Sequence, residues 1–313
     1  MQNNQVVKSK ITVFFTEPLS AQTLGFFRIC VAVFCLVQLL VLLPDWLWLY
    51  GPDGLIPWQL SDAVSFRNTP GLSGLTRLLQ PLGAGPVQVL WLITMLYFFS
   101  LIMLIIGWKS QWMGAIAWIT HLLLNTTGHF TAYGVETFTH IALFYCMVVP
   151  VGAAWSLDAR KGFTVAPHLL TLSIRVIQLH LCIMYLASGL EKAMGTQWWD
   201  GNAIWIALQQ DQFHHFNVDW MASFPIIPQM LCIGTLVVET LFPAGMLWNK
   251  TRKFWLPAIL LMHLGIALFL GLQLFGALMF LLNLSIFGTD SLRRLFSRFT
   301  YMKNHIPSPV PAH

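Results

Sequence analysis

Long apolar runs follow one another along the chain, at roughly 24–46, 84–107, 111–127, 135–150, 167–193, 227–247, 255–271 and 273–288. Each is measured against the ~20 apolar residues that a helix needs to cross a bilayer. The pattern therefore predicts an all-α, polytopic transmembrane helical bundle of about eight spans. The third, fourth, seventh and eighth runs are short, which makes each a candidate half-span or re-entrant piece covered by its neighbours. Ahead of the first run, Ile11–Glu17 reads as a segment lying along the interface. Two large connections break the series. Trp46–Gly83 is rich in Gly and Pro and holds a short amphipathic piece, Leu72–Leu79; Gly195–Phe224 holds a helical candidate near Asn202–Gln210. The expected organisation is an interfacial segment (1–23), a membrane domain (24–288) and a basic tail (289–313). That tail carries Pro307, Pro309 and Pro311 and reads as disordered.

Composition makes the membrane class firm. Of 313 residues, 57% are hydrophobic and 9% charged, more apolar than a soluble domain of this size needs. The net charge of +5 does not point to nucleic acid, because the basic residues cluster between the apolar runs. One set of connections carries Lys8, Lys10, Lys109, Arg160, Lys161, Lys250, Arg252, Lys253, Arg293, Arg294, Arg298 and Lys303. The opposite set has only Arg67, Arg77 and Lys192. This bias predicts both termini in the cytoplasm, with both large loops, Lys192 and the 126–134 connection outside; the expected location is the plasma membrane. Trp46, Trp48, Trp108, Trp112, Trp198, Trp199, Trp248 and Trp255 fit interfacial belts. Cys30, Cys35, Cys146, Cys182 and Cys232 all fall inside apolar runs without CxxC spacing, so neither a disulfide framework nor a metal site is expected. Met1–Lys10 is polar and lacks a cleavable signal pattern.

Chemistry concentrates where charge meets an apolar run. Tyr185, Ser188 and Lys192 are spaced by three and four, so they share one helix face, and Gly189 beside them admits another helix or a ligand. An amine in an apolar pocket loses hydration, and the neutral form can then act as a base. The rival reading is a lysine at a helix end, snorkelling to the headgroups. Glu191 points away from Lys192. On the same expected side, Asn125–Gly134 is polar and turn-like and carries His129, a hydrogen-bonding candidate. Glu136 and His140 stand at i and i+4, placed to bond each other. Arg28, His121, Arg175, His180, Glu239 and His263 complete the polar groups within spans, with Glu239 expected to pair with an arginine or histidine. Histidines in separate spans also raise a haem-type electron carrier, although no spacing repeats. No P-loop, Rossmann or zincin pattern is present.

The order of these residues adds a resemblance. Tyr185-Leu-Ala-Ser-Gly-Leu-Glu-Lys192, followed by Trp199-Asp-Gly201, resembles the signature of the HTTM family, the family of the vitamin K-dependent gamma-carboxylase. His129-Phe-Thr-Ala-Tyr-Gly134 is similar to a second segment of that family. Looser likeness extends to Leu24-Gly-Phe-Phe-Arg28-Ile, to Trp155-Ser-Leu-Asp158 and to His263 through Phe287, so that it covers about Leu24 to Gly288. The resemblance implies Lys192 as catalytic base assisted by His129, with Tyr185, Ser188, Gly189 and Tyr133 around the cofactor. It implies a quinol (menaquinol or vitamin K-like), dioxygen and carbon dioxide as co-substrates. The quinol and dioxygen together generate a strong base that deprotonates an acceptor, a peptide or small molecule, for carboxylation. Two departures matter: Glu191 stands where the carboxylase has a lysine, and the large soluble domain that the carboxylase carries after its membrane part has no counterpart in residues 289–313. The remaining alternative is a non-enzymatic membrane protein that binds a quinone or lipid or scaffolds a partner.

Overall fold

The structure, a computed structural model, describes residues 10–64, 70–128, 133–213 and 216–289. His129, Arg67 and the basic tail expected to be disordered lie outside the described residues. The described residues form helices and no strand. In chain order, α1 (Lys10–Thr16) precedes α2 (Ala21–Leu42), which runs through a 3-10 turn at Leu43–Asp45 into α3 (Trp46–Tyr50). The first large loop holds α4 (Trp58–Val64) and α5 (Leu72–Leu79). Then come α6 (Pro86–Ile106), α7 (Ser110–Thr127), α8 (Gly134–Val148), the single turn α9 (Leu157–Arg160) and α10 (Pro167–Ala193). The second large loop holds α11 (Thr196–Trp199) and α12 (Asn202–Gln209). The chain closes with α13 (Ile226–Thr240), α14 (Phe242–Leu247), α15 (Asn249–Phe269) and α16 (Gln273–Phe287).

Four stretches are long and apolar enough to cross a membrane: Ala21–Tyr50, Pro86–Ile106, Pro167–Ala193 and Asn249–Phe269. The apolar helices α8, α13 and α16 have 15 residues each. At 1.5 Å per residue they reach about 22 Å, less than the ~30 Å of a hydrocarbon core. α7 has 18 residues but carries Thr120, His121 and Asn125, which lower its hydropathy. The outer surface is apolar as well: Val37, Leu40, Met95, Phe99, Ile183 and Leu261 are all exposed. Water would penalise such a surface, and a lipid environment would not. The helices are thus compatible with an integral membrane protein.

Local chemistry fixes several boundaries. Ser20 caps α2 by accepting from the Gln22 N–H at 3.2 Å. Pro86 and Pro167 open α6 and α10, where the missing N–H costs nothing. Gly107 ends α6 at φ 74°, with its own N–H on Leu104 and Met103 and the Trp108 N–H on Met103, a Schellman closure.

The 227–247 run is broken where the sequence pattern reads one span. Pro243 has no N–H, and its ring would meet the carbonyl four residues earlier, that of Glu239. α13 therefore stops at Thr240 and α14 begins at Phe242. The start of α15 takes up carbonyls near the end of α13 and at the end of α14. Trp255 Nε1 donates to Val238 O at 3.0 Å, Thr251 Oγ1 to Gly245 O at 2.9 Å and Arg252 Nε to Met246 O at 2.7 Å. Broken helices are tolerated within a bundle when neighbours re-satisfy the backbone in this way.

One apolar core runs through α2, α6, α7, α8, α10 and α16. α6 and α7 pack as neighbours, as do α7 and α8, and α15 and α16; α16 also lies on α2, and α10 on α13 and α14.

Candidate functional site

Lys192 sits one residue before the end of α10, its side chain 25% exposed. Its Nζ donates to Ser188 Oγ at 2.5 Å and to Glu239 Oε2 at 2.8 Å. The Trp198 ring lies 5.5 Å from the ammonium. Ser188 meets Lys192 because they are four residues apart on one helix. Glu239 meets it because α13 ends beside the last turns of α10. Gly189 makes that approach possible: a Cβ there would lie 2.6 Å from Thr240 N. Of the two uses open to Gly189, a helix takes up the space. The partner of Glu239 is Lys192 rather than an arginine or a histidine. Arg28, Arg175, His121, His140, His180 and His263 each have a partner elsewhere, and the lysine is the cation that the α13 break brings near.

About two turns back along α10, Tyr185 begins a second polar chain. Its hydroxyl lies 2.6 Å from His263 Nε2, and Asn283 Nδ2 donates to it at 2.7 Å. The ring stacks on Phe242, centroids 4.2 Å apart, on the far side of the α13–α14 break. Tyr185, His263 and Asn283 are all buried. His263 Nδ1 and Asn283 Oδ1 are buried without a hydrogen-bond partner. Buried polar atoms are normally satisfied, so such atoms call for an explanation, a bound group or water among them. Sequence reasoning missed Asn283. The available signal was an amide inside the last apolar run, costly in a membrane unless it is paired.

The other candidates lie elsewhere. Tyr133 is 42% exposed at the start of α8, and its N–H donates to Glu136 Oε2 at 2.8 Å. Partial burial, and then the Glu136 carboxylate, raise the pKa of its phenol. Gly134 next to it faces Phe275, whose ring stands 6.0 Å from His263, so the start of α8 approaches the Tyr185 chain through one aromatic layer. The expected Glu136–His140 bond does not form. Glu136 instead accepts from Gln38 Nε2 at 3.3 Å as well as from Tyr133, while the Nδ1 atoms of His140 and His121 lie 3.3 Å apart. The helix-start N–H and the α2 amide draw the carboxylate away. His180 pairs with the Tyr145 hydroxyl at 2.6 Å. No group of three or more potential metal ligands is found among the described residues.

Arg28 and Arg175 are both buried. Arg28 donates to Leu104 O at 2.5 Å and Trp155 O at 2.6 Å, closing the end of α6. Asp158 accepts from the N–H groups of Lys109 and Ser110, both at 2.8 Å, at the start of α7. The loosely matching segments Leu24–Ile29 and Trp155–Asp158 are therefore one structural unit that fastens the α6–α7 turn. Comparison with protein-family models, with curated proteins and with solved structures finds no match.

Proposed function

We propose that the chain is an eight-span membrane enzyme of the HTTM type, in which Lys192 is the base of a quinol- and dioxygen-dependent reaction. The observation that carries this reading is the meeting of Lys192, Ser188 and Glu239 at a helix break beside the buried Tyr185–His263–Asn283 chain. Broken helices inside bundles commonly frame binding sites. A bound quinol supplies the reducing equivalents and, with dioxygen, a base stronger than any side chain. The unpartnered Nδ1 of His263 and Oδ1 of Asn283 fit a ligand that offers hydroxyl and carbonyl groups. Lys192 is open to an approaching ligand along the exposed part of its side chain.

As the chain stands, Lys192 is ion-paired, and an ammonium cannot accept a proton. Glu239 resolves this: it takes the ammonium proton and leaves a neutral amine held by Ser188. The amine then accepts the proton of a bound hydroxyl. Carbon dioxide is the co-substrate in this reading, and the acceptor is a peptide or small molecule. The same ion pair also favours a second reading, a binding or scaffold protein in which Lys192 and Glu239 only clamp α10 to α13.

Quinol-dependent oxygen uptake by purified protein separates the two. Lys192→Arg keeps the ion pair but cannot be deprotonated. It should abolish uptake while melting close to wild type. Glu239→Gln should lower uptake by about tenfold or more, in the range of a lost proton-transfer group. Wild-type uptake in Lys192→Arg would leave the clamp alone.

A further inference from the structure

The end of the bundle away from Lys192 holds a second polar site. A cavity of about 460 Å³ opens between α1, the starts of α2 and α15, α10 and the end of α16. Arg175 lines it at 6% exposure. Its Nε donates to Phe14 O and its Nη1 to Gln178 Oε1, both at 2.9 Å, and the guanidinium lies 4.0 Å from the centroid of the Phe14 ring. These contacts fix the plane of the group. Its Nη2 makes no hydrogen bond among the described residues, so two N–H donors of a buried guanidinium remain at the cavity wall.

The surroundings share its sign. Arg252 lines the same cavity, positioned by its bond to Met246 O. α2 and α15, of 22 and 21 residues, both begin here and line the cavity with Ser20, Thr23 and Asn249. Their N-terminal N–H groups and dipoles favour an anion. Lys250 and Lys253 are exposed on the first turns of α15. Facing these, Glu17 is an exposed carboxylate on the lining, and the last turn of α16 presents its C-terminal end through Ile286 and Thr289. Among the described residues, two guanidinium groups and two helix starts outweigh one carboxylate and one helix end. The walls are also partly apolar, with Val13, Leu247 and Phe287, and Val13 is 42% exposed.

A positive, donor-rich cavity with an apolar wall, at the end of a lipid-compatible bundle, matches the junction between the head group and the glycerol of a phospholipid. We infer that it binds the phosphodiester of an anionic glycerophospholipid, with Arg175 and Arg252 on the phosphate oxygens and α1 alongside the glycerol and upper acyl chains. The planar fork of arginine suits phosphate oxygens. Arg175 and Lys192 are 17 residues apart on α10, about 25 Å along the helix. This site therefore stands independently of the Lys192 reading.

The test uses the full-length protein, delipidated in detergent and titrated with phosphatidylglycerol, with native mass spectrometry and thermal melting as readouts. Wild type should retain one phosphatidylglycerol per chain and melt higher with it. Arg175→Gln and Arg252→Gln should each weaken retention roughly five- to tenfold, as expected for one lost basic contact. Lys161→Gln, at a separate cavity lined by Lys109 and Asp158, should retain lipid like wild type. Should Arg175→Gln fail to fold, Arg252→Gln decides. Retention unchanged in Arg252→Gln, or equally weakened in Lys161→Gln, would overturn the site. An equal thermal shift from inorganic phosphate would overturn the lipid in favour of a free anion.

Discussion

Tyr185 carries three relationships at once: a hydrogen bond with His263, acceptance from Asn283 and a stack on Phe242. Phenylalanine at this position would keep the ring and its stacking and remove only the hydroxyl. Asn283 Nδ2 would still hold Met279 O at 2.8 Å. His263 would be left with both ring nitrogens unpaired at 2% exposure. An unsatisfied buried polar group costs about 1–3 kcal/mol, whereas replacing both partners with apolar groups of similar shape can be close to neutral. Tyr185→Phe is therefore expected to lower the melting temperature, and adding His263→Leu should recover part of the loss. Melting of the two single variants and the double variant checks this. Strictly additive losses would show that the two residues are not coupled. The same logic frames Lys192, whose ammonium already has an acid and a hydroxyl within 2.8 Å. What distinguishes a working base from a clamp is the proton and not the contact.

At the scale of elements, the governing feature is the seam between α10 and the broken α13–α14 pair. The seam was half legible in the sequence. The i, i+3, i+7 spacing of Tyr185, Ser188 and Lys192 predicts their shared face from local geometry alone. Gly189 marks a close approach without saying by what. Glu239 lies 47 residues from Lys192, and no local pattern encodes so distant a pairing. The break itself was legible through Pro243 but is masked by the apolar run on either side of it. His121–His140, Glu136–Gln38 and Arg28–Trp155 are likewise long-range pairings, fixed by how helices pack and not by what each helix contains. The seam makes its own prediction. Gly189→Val places a branched side chain against the Thr240 backbone, 2.6 Å from the nearest atom at the Cβ alone. α10 and α13 would have to separate, parting Lys192 from Glu239. A strong loss of melting temperature is expected, with overpacking typically costing about 1–3 kcal/mol. Gly234→Ala on the same α13 meets nothing within 4 Å and should be neutral or slightly stabilising, since Ala favours helix. Equal melting of the two variants would mean that the seam is not tightly packed.

At the scale of the whole molecule, contacts sort the helix ends into two faces. The start of α2, the end of α6, the start of α7 and the segment after α8 converge on Arg28 and Asp158. The start of α10, the start of α15 and the end of α16 converge with the start of α2 on the Arg175 cavity. These are the ends that carry most of the lysines and arginines, including Lys109, Arg160, Lys161, Lys250, Arg252 and Lys253. One face therefore gathers the basic connections, while Lys192, near the other end of α10, belongs to the half of the bundle that holds the two large loops. By the positive-inside rule we propose that the Arg175 face is cytoplasmic and the 195–224 loop exterior. Single-cysteine labelling with a membrane-impermeant reagent in intact cells tests the assignment. The five native cysteines are all buried, which keeps background labelling low. Asn217 and Lys250 are both exposed, so each substituted cysteine can react if the reagent reaches its side. Asn217→Cys should label in intact cells, and Lys250→Cys only after permeabilisation. The reverse pattern would turn the bundle over, placing Lys192 toward the cytoplasm and the arginine cavity in the outer leaflet. Labelling of both in intact cells would contradict a spanning arrangement for the helices between them, α13 and α14, and would return that segment to the class of re-entrant pieces.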